Sequence, residues 1–393
     1  MQDPLIEQYE AWMYPKPIED LTAYVAGGGH DLSDPARMRR KLWPRPIEPD
    51  TLDILVAGCG ANQAAIIAHA NPQHRVLGID LSGKAIAHHA QLKQRHGLDN
   101  LELRQVAIEA VPHRLDRQFD YIVSTGVLHH LNDPAAGLAC LRAVLAPHGV
   151  MSLMLYGQNR RAGLYLVQEA LHALGAQRDA AGVALARDTM AQLPAWHSAR
   201  SYLDTAPDLH YDAGLVDTLL NARDRAYTVP EILALVKDTG LRFQGWLDGL
   251  YYSPSAAFAG DAKIHDRVHD LPRELQWHVV DLLAQAAGAH RFLVCHTART
   301  DADLEPDFST DAWLDAVPVR HPDLVATAES GGALKREWHS AQLDGKAFAV
   351  FQRIDGYRTF RELLKGTAGD EREYIAAVMT QLLEWDHLFC RLP

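Results

Sequence analysis

Cysteine is scarce in this chain of 393 residues, and its four cysteines lie far apart. None of Cys59, Cys140, Cys295 and Cys390 stands in a C-x-x-C pair. Closely spaced cysteines are what zinc sites and disulfide frameworks usually require. The sequence therefore predicts neither feature, and it favours a reducing compartment.

Long apolar runs and a basic leader are also missing. No apolar stretch approaches the roughly 18 residues that a membrane helix needs, and the N-terminal MQDPLIEQYEAW carries acidic residues where a signal peptide would be basic. We expect no membrane association and a cytoplasmic location.

Positive charge is in deficit, because the formal net charge is −12. Binding to nucleic acid without sequence preference requires clustered Lys and Arg that displace counterions from phosphates. We therefore expect no nucleic-acid partner. The 48% hydrophobic and 22% charged residues are typical of a globular protein, and the length predicts two or three structural units.

Short apolar runs alternate with amphipathic stretches from residue 52 onward. Strands are predicted at 53–60, 75–82, 101–107 and 119–126, and a fifth at 150–156 follows a helix at 135–145 and the turn Pro147-His148-Gly149. An Ala-rich helical stretch at 160–221 comes before two further strands, at 241–248 and 290–298. This rhythm predicts an α/β protein with a doubly wound sheet, and the interruption at 157–227 predicts a helical lid over a ligand site.

The strongest chemical signal is VAGCGANQ after the first strand, with Asp80 at the end of the second. Glycines there allow the backbone to approach a ligand closely, and an acidic residue about 20 positions further on binds ribose hydroxyls. A nucleoside cofactor is therefore implied. Gln63 stands where a dinucleotide site would have its third glycine, which weakens an NAD-dependent oxidoreductase as an alternative.

Three motifs in this order, VAGCGANQ, GIDLS and FDYIVSTGVLHHLNDP, resemble those of the class I (Rossmann-like) S-adenosylmethionine-dependent methyltransferases. The resemblance covers about 52–299. It implies a seven-stranded Rossmann-like methyltransferase sheet with helical insertions, in which the seventh strand runs antiparallel, and it implies S-adenosyl-L-methionine as cofactor.

The resemblance also assigns residues to the cofactor. It places the methionine part against the turn after the first strand, the ribose on Asp80, the adenosine beside Leu81 and Ser82, and the floor of the site after the fourth strand. Many members carry Asp where Ala107 stands here, so we expect Glu109 to serve the adenine instead. The remaining predicted cofactor-binding residues are Gly58, Cys59, Gly60, Asn62, Gln63, Thr125, Gly126 and Val127.

Residues that contact the methyl acceptor are expected at the carboxyl ends of the strands, where ligands bind in open α/β sheets. Tyr156 and His129 are the candidate catalytic residues, although Tyr156 could equally be an aromatic side chain packed under the lid. The candidate substrate-binding residues are Arg160, Arg161 and Glu169. His129 and His130 are adjacent and no third ligand has a suitable spacing, so we predict no metal site.

The two ends of the chain are predicted to form separate parts. Residues 1–50 form a cap segment in which Tyr9, Trp12 and Tyr14 either cover the cofactor or pack on the domain edge. Residues 51–300 form the methyltransferase domain. A linker at 300–308 precedes a small α+β, winged-helix-like accessory domain at 311–393, which is similar to the peptide-binding module of the PqqD kind.

The sequence thus predicts S-adenosylmethionine-dependent methyl transfer to a nucleophilic acceptor. The accessory domain favours a peptide or protein side chain over a small metabolite, and it could instead form a homodimer. The alternative is a non-catalytic sensor or scaffold that binds the same cofactor. Neither the acceptor atom nor the oligomeric state follows from the sequence.

Overall fold

The computed structural model describes residues 3–48, 50–258, 262–328 and 332–393. The chain forms two compact units, each assembled from separate stretches. The first unit combines Met1–Asp34, Thr51–Phe243 and Gln285–His296, and the second combines Pro35–Asp50, Gln244–Ala284 and Thr297–Pro393. The predicted division into 1–50, 51–300 and 311–393 follows the chain in order and stays a prediction.

A seven-stranded sheet has the order β3-β2-β1-β4-β5-β7-β6. Its strands are β1 Asp53–Ala57, β2 Arg75–Asp80, β3 Leu101–Gln105, β4 Phe119–Thr125, β5 Leu145–Tyr156, β6 Leu241–Trp246 and β7 Ala289–His296. The pairs among β1 to β5 are parallel, whereas β7 runs antiparallel to β5. The predicted seven-stranded Rossmann-like sheet and its antiparallel seventh strand are confirmed.

The strand order reverses at β1 and β4, which lie side by side in the middle of the sheet. Nearly every residue of these two strands is buried, as expected for a parallel sheet covered on both faces. In open α/β sheets the ligand binds at the carboxyl ends of the strands where the order reverses. The site is therefore expected just beyond Ala57 and Thr125.

The prediction of a helix to residue 145 and a turn at 147–149 is wrong. The helix ends at Ala143, and β5 already begins at Leu145, paired with Phe119. The register then shifts before Tyr121 pairs with Val150. The Pro and Gly that suggested a turn form an irregularity inside one long strand, because bulges accommodate such residues.

Helices cover the sheet of the first unit and fill the interruption after β5. Several begin at Asp or Ser caps; Ser82, for example, accepts from the backbone N–H of Ala85. The helices of this unit are α1 Pro4–Ala11 and α2 Leu21–Ala26, then α4 Gln63–Ala70, α5 Gly83–His96, α6 Val111–Arg114, α7 Pro134–Ala143, α8 Gln158–Ala173, α9 Ala180–Gln192, α10 Arg200–Leu203, α11 Asp212–Leu219 and α12 Val229–Asp238, with α3 (Pro35–Leu42) in the second unit.

The interruption at 157–227 is helical, as predicted. Helices α8 to α11 pack around their own apolar core, which includes Leu164, Leu171 and Leu215. This segment is called the helical insertion below. Its closing over the acceptor site stays a prediction.

The second unit contains short helices and two small antiparallel sheets. Strands β9, β10 and β11 form one sheet, and β8 pairs with β12 in the other. Its further elements are α13 Pro254–Ala257, α14 Ala262–His269, α15 Arg273–Ala284, α16 Asp301–Leu304, β8 Val317–Arg320, β9 Val325–Thr327, β10 Ala333–Arg336, β11 His339–Gln342, α17 Gly345–Gln352, α18 Phe360–Leu363, α19 Gly369–Glu384 and β12 Leu388–Arg391. The predicted linker at 300–308 thus contains the short helix α16.

An apolar cluster forms the core of the second unit. It includes seven apolar residues that recur at helical spacings on either side of Asp355-Gly356 in the sequence, as a small core requires: Phe348, Val350, Phe351, Ile354, Phe360, Leu363 and Leu364. The winged-helix-like assignment of this region stays a prediction. Among the described residues, no helix combines the length and apolar character needed to cross a membrane.

Candidate active site

The turn that follows β1 brings the backbone close to the turn that follows β4. Gly58 and Gly60 adopt φ angles of 74° and 54°, and Gly126 adopts 73°. A Cβ atom at Gly58 would lie 2.4 Å from Cγ2 of Val127. Only glycine fits both the left-handed backbone and this close approach, so the two turns form a cradle of backbone groups.

Asp80, at the end of β2, is held beside this cradle. Its Oδ2 accepts from the Gly60 N–H at 2.8 Å, and its Oδ1 accepts from the Ser82 N–H at 2.9 Å. Burial raises the pKa of the Asp80 carboxyl. The carboxylate is thus oriented by the backbone, and its remaining lone pairs are available to ligand hydroxyls.

A second carboxylate, Asp31, lies on the other side of Gln63. The Gln63 Nε2 donates to Asp31 Oδ2 at 2.9 Å and to Thr125 Oγ1 at 3.1 Å. Burial also raises the pKa of Asp31. Sequence reasoning missed Asp31, because it lies in a loop with no motif around it.

Asn62 connects the site to the N-terminal segment. Its Nδ2 donates to the Lys16 carbonyl, and its Oδ1 accepts from the Ile18 N–H, both at 2.8 Å. The hydroxyl of Ser82 donates to Glu10 at 2.9 Å. The N-terminal segment is therefore fixed against the glycine turn and the start of α5.

These groups line one cavity of about 680 Å³, formed entirely by residues of the first unit. Of the predicted cofactor residues, eleven line it: Gly58, Cys59, Gly60, Asn62, Gln63, Asp80, Leu81, Ser82, Thr125, Gly126 and Val127. Burial raises the pKa of the Cys59 thiol, so it stays protonated and neutral.

Glu109 is not brought to the cavity. It is exposed, whereas Val106 and Ile108 line the cavity beside it. Residues 108–110 form a single 3₁₀ turn that directs Ile108 inward. This wall therefore offers apolar contact to an adenine ring. The position of Glu109 does not support its predicted contact with the adenine.

The opposite half of the cavity is lined by tyrosines. Tyr9 and Tyr156 donate their hydroxyls to Asp217, at 2.9 and 3.2 Å. Tyr14 and Tyr211 donate to the two oxygens of Asp208, at 2.9 and 3.0 Å. All four tyrosines and Asp208 line the cavity, whereas Asp217 is buried behind it.

Burial raises the pKa of Tyr9 and of Tyr156 well above the ordinary value, and the nearby charge of Asp217 adds to the shift. Both hydroxyls are therefore protonated at any physiological pH. Burial also raises the pKa of the Asp217 carboxyl.

The predictions for the N-terminal aromatic residues are resolved by their positions. Tyr9 and Tyr14 line the cavity, whereas Trp12 packs against the core of the helical insertion and donates to the Arg178 carbonyl. Of the catalytic candidates, Tyr156 lines the cavity. His129 is buried behind it and stacks on the Tyr156 ring at 3.9 Å.

The three predicted substrate residues lie away from the cavity. The guanidinium of Arg161 lies 3.7 Å from the centroid of the Tyr156 ring and is fully enclosed. Arg160 donates to the Ser201 carbonyl, and Glu169 is exposed on α8. Arg161 thus supports the tyrosine wall from behind, because α8 begins directly after β5 and directs that side chain inward.

Known proteins match this chain in three ways. The family described as "Methyltransferase domain" matches residues 55–151. An uncharacterized protein from Synechococcus sp. is 30% identical over 330 residues, which cover 81% of this chain and 78% of that protein. The tRNA 5-carboxymethoxyuridine methyltransferase of Escherichia coli is 37% identical over 109 residues, which cover 28% of this chain and 41% of that enzyme.

Among solved structures, PKMT2 from Rickettsia typhi in complex with AdoHcy is similar with a TM-score of 0.61 at 16% identity, over 91% of this chain and 75% of that one. At this identity the likeness extends to the fold alone. The chain belongs to the class I S-adenosylmethionine-dependent methyltransferases. Within that class it shares a family with the Synechococcus protein, and its cofactor is S-adenosylmethionine.

The cavity fits this cofactor. The glycine cradle brings two backbone turns together along the wall of the cavity, and Asp80 offers an oriented carboxylate to the ribose. Asp31 offers a carboxylate suited to the cofactor's amino group. When bound, the cofactor supplies a methyl group activated by its positive sulfur.

Proposed function

We propose that this methyltransferase transfers the methyl group to an amino group on a peptide or protein side chain. The observation that carries the proposal is the wall of four tyrosines that donate to two carboxylates. A tyrosine has a single O–H donor, and Tyr9, Tyr14, Tyr156 and Tyr211 each use it on Asp208 or Asp217.

Such hydroxyls present only lone pairs to the cavity. An ammonium group has three donors and no acceptor, so it complements this wall, and the aromatic faces add cation–π attraction. A carboxylate or phosphate acceptor has no donor to offer and would be repelled by Asp208.

The same residues provide a route for the proton that an ammonium must lose before its nitrogen can attack. The N–H proton passes to the oxygen of Tyr156 or Tyr9, and the tyrosine passes its own proton to Asp217. Burial raises the pKa of Asp217, which favours this carboxylate as the final proton acceptor. The protein otherwise contributes orientation, which supplies much of the acceleration of such a reaction.

A macromolecular acceptor is favoured over a small metabolite by the second unit. Among the described residues, none of the second unit lines the cavity. This unit is therefore available to bind a macromolecular acceptor outside the cavity. The region 55–151 that matches the family contains none of the four tyrosines. Relatives named for tRNA or ubiquinone match 28–31% of the chain, and a match to so small a part gives no reason to transfer their acceptors.

The test is to incubate the full chain with isotope-labelled cofactor and peptides that differ only in carrying Lys, Ser, Cys or Glu. We expect label on the Lys nitrogen, located by fragmentation mass spectrometry. Asp208→Asn should lower kcat/KM for that peptide at least about tenfold, because a charge-assisted hydrogen bond contributes about 1.5–3 kcal/mol. Cofactor affinity should not change.

Asp212→Asn is the matched control, since Asp212 is an exposed carboxylate in the same insertion, paired with Arg187. It should leave kcat/KM unchanged. Label on an oxygen or sulfur atom would contradict the amine acceptor. Intact cofactor binding without turnover on any acceptor would instead favour the sensor alternative.

A further inference from the structure

His129 has an unexplained environment. Its side chain is 1% exposed, and neither Nδ1 nor Nε2 has a hydrogen-bond partner in the described part of the chain. Buried imidazole nitrogens are normally paired, and an unpaired one points to a missing water or ion. No other buried histidine of the first unit leaves both nitrogens unpaired among the described residues.

His130 lies beside it, and its ring is held in a tautomer that can bind a metal ion. Its Nδ1 lies 2.7 Å from the Arg223 carbonyl oxygen, which fixes the proton on Nδ1. The lone pair is therefore on Nε2. Metal-binding histidines commonly donate their second ring N–H to a backbone carbonyl in this way.

Asp224 completes the group. One ligand atom from each of His129, His130 and Asp224 can be chosen so that all three lie within 4.8 Å of one another. The Asp224 side chain is 3% exposed. Tyr165 donates to its Oδ1 at 3.3 Å, and Gln168 donates to its Oδ2 at 3.2 Å, so the carboxylate is held by neighbouring donors.

The charges of the surrounding groups admit a cation. Arg161 lies 3.5 Å from Asp224 Oδ2, which is too long for a good hydrogen bond. Asp217 is a second buried carboxylate, which accepts from the hydroxyl of Tyr156 at 3.2 Å, and the ring of Tyr156 stacks on His129. The Arg223 guanidinium, which donates to the His130 carbonyl, is paired with Asp3, so Asp224 and Asp217 face one further guanidinium, that of Arg161.

We propose that His129, His130 and Asp224 bind a divalent first-row transition-metal ion. Two imidazoles and one carboxylate suit ions such as Zn²⁺, Co²⁺ or Mn²⁺. The ion joins the turn after β4 to the C-terminal end of the helical insertion, next to the tyrosine wall. The sequence predicts no metal there because the third ligand lies on the far side of that insertion.

The test uses the full chain after treatment with a chelator, titrated with Co²⁺ as a spectroscopic probe and with Zn²⁺ in competition. We expect one saturable site, with visible absorption bands of protein-bound Co²⁺ and a rise in Tm on Zn²⁺ addition. Neither cofactor nor acceptor is present, so the result does not depend on the proposed function.

The variants His129→Ala and Asp224→Asn should each weaken binding at least about 100-fold, and Gln168→Ala, which removes a donor to the carboxylate, about tenfold. Asp224→Asn keeps the shape of the side chain and serves if the histidine variant fails to fold. His113→Ala, at an exposed histidine, is the control and should bind as the wild type does. Absence of saturable Co²⁺ binding, or equal affinity in wild type and Asp224→Asn, overturns the proposal.

Discussion

The two halves of the cavity are built in different ways. The cofactor half consists of the backbone turns after β1 and β4 and of Asp80, whose carboxylate is held by the backbone N–H groups of Gly60 and Ser82. The acceptor half consists of side chains from the N-terminal segment, the end of β5 and the helical insertion. Function that resides in backbone geometry is bound to the fold, whereas function that resides in side chains can change while the fold stays the same.

The largest expected effect is on cofactor affinity, and it should follow from removing one carboxylate from the cofactor half but not from the acceptor half. Asp80→Asn should raise the dissociation constant of the cofactor about 10-fold to 100-fold, because the ribose loses a charged partner that contributes about 1.5–3 kcal/mol. Calorimetric titration with S-adenosylhomocysteine measures it. Asp208→Asn is the matched change in the acceptor half and should leave this constant within about twofold. Equal losses in both variants would mean that the halves are not independent.

A smaller effect should follow from adding one methyl group to the glycine cradle. Gly58→Ala places a Cβ 2.4 Å from Val127 in a backbone with φ of 74°. The collision should cost about 1–3 kcal/mol of unfolding free energy beyond the cost of the left-handed backbone, measured by denaturant unfolding. Gly97→Ala is the control, because Gly97 has φ of 61° but no atom within 4 Å of the added Cβ. It should show only the cost of the left-handed backbone, about 1–2 kcal/mol. Equal losses would show that close approach adds nothing at Gly58.

The smallest expected effect is on pH dependence. Burial raises the pKa of the Asp80 carboxyl, so it begins to bind a proton at a higher pH than an ordinary Asp. Only the ionised form accepts from both ribose hydroxyls, and cofactor affinity should fall a few-fold as pH falls from 7 toward 5. Because the folded-state pKa is raised, protonation of Asp80 stabilises the apoprotein, and unfolding through this group is not the cause. Asp80→Asn should give a shallower profile, in which the remaining slope comes from Asp31, whose pKa burial also raises. A slope as steep as that of the wild type would assign the effect to a group other than Asp80.

The cofactor half could be predicted from the sequence, whereas most of the acceptor half could not. The strands follow from local apolar runs, and the glycine turns and Asp80 follow from local patterns within a few residues of a strand end. Asp208, Asp217 and Tyr211 have no such pattern, because they gain their roles only when the helical insertion folds against Tyr9, Tyr14 and Tyr156. Arg161 is the opposite case, a residue predicted to contact the substrate that does not line the cavity. Its position after β5 suggested substrate contact, but the start of α8 places its side chain behind the tyrosine wall.

The N-terminal segment has a consequence for grouping related chains. The family match begins at residue 55, yet Tyr9 and Tyr14 form part of the wall that we assign to acceptor recognition. Comparisons based on residues 55–151 would place chains with the same cradle together, whatever residues stand at positions 9 and 14. A sorting of homologues by acceptor should therefore compare their first thirty or so residues, since two chains alike throughout the core could differ there and modify different molecules.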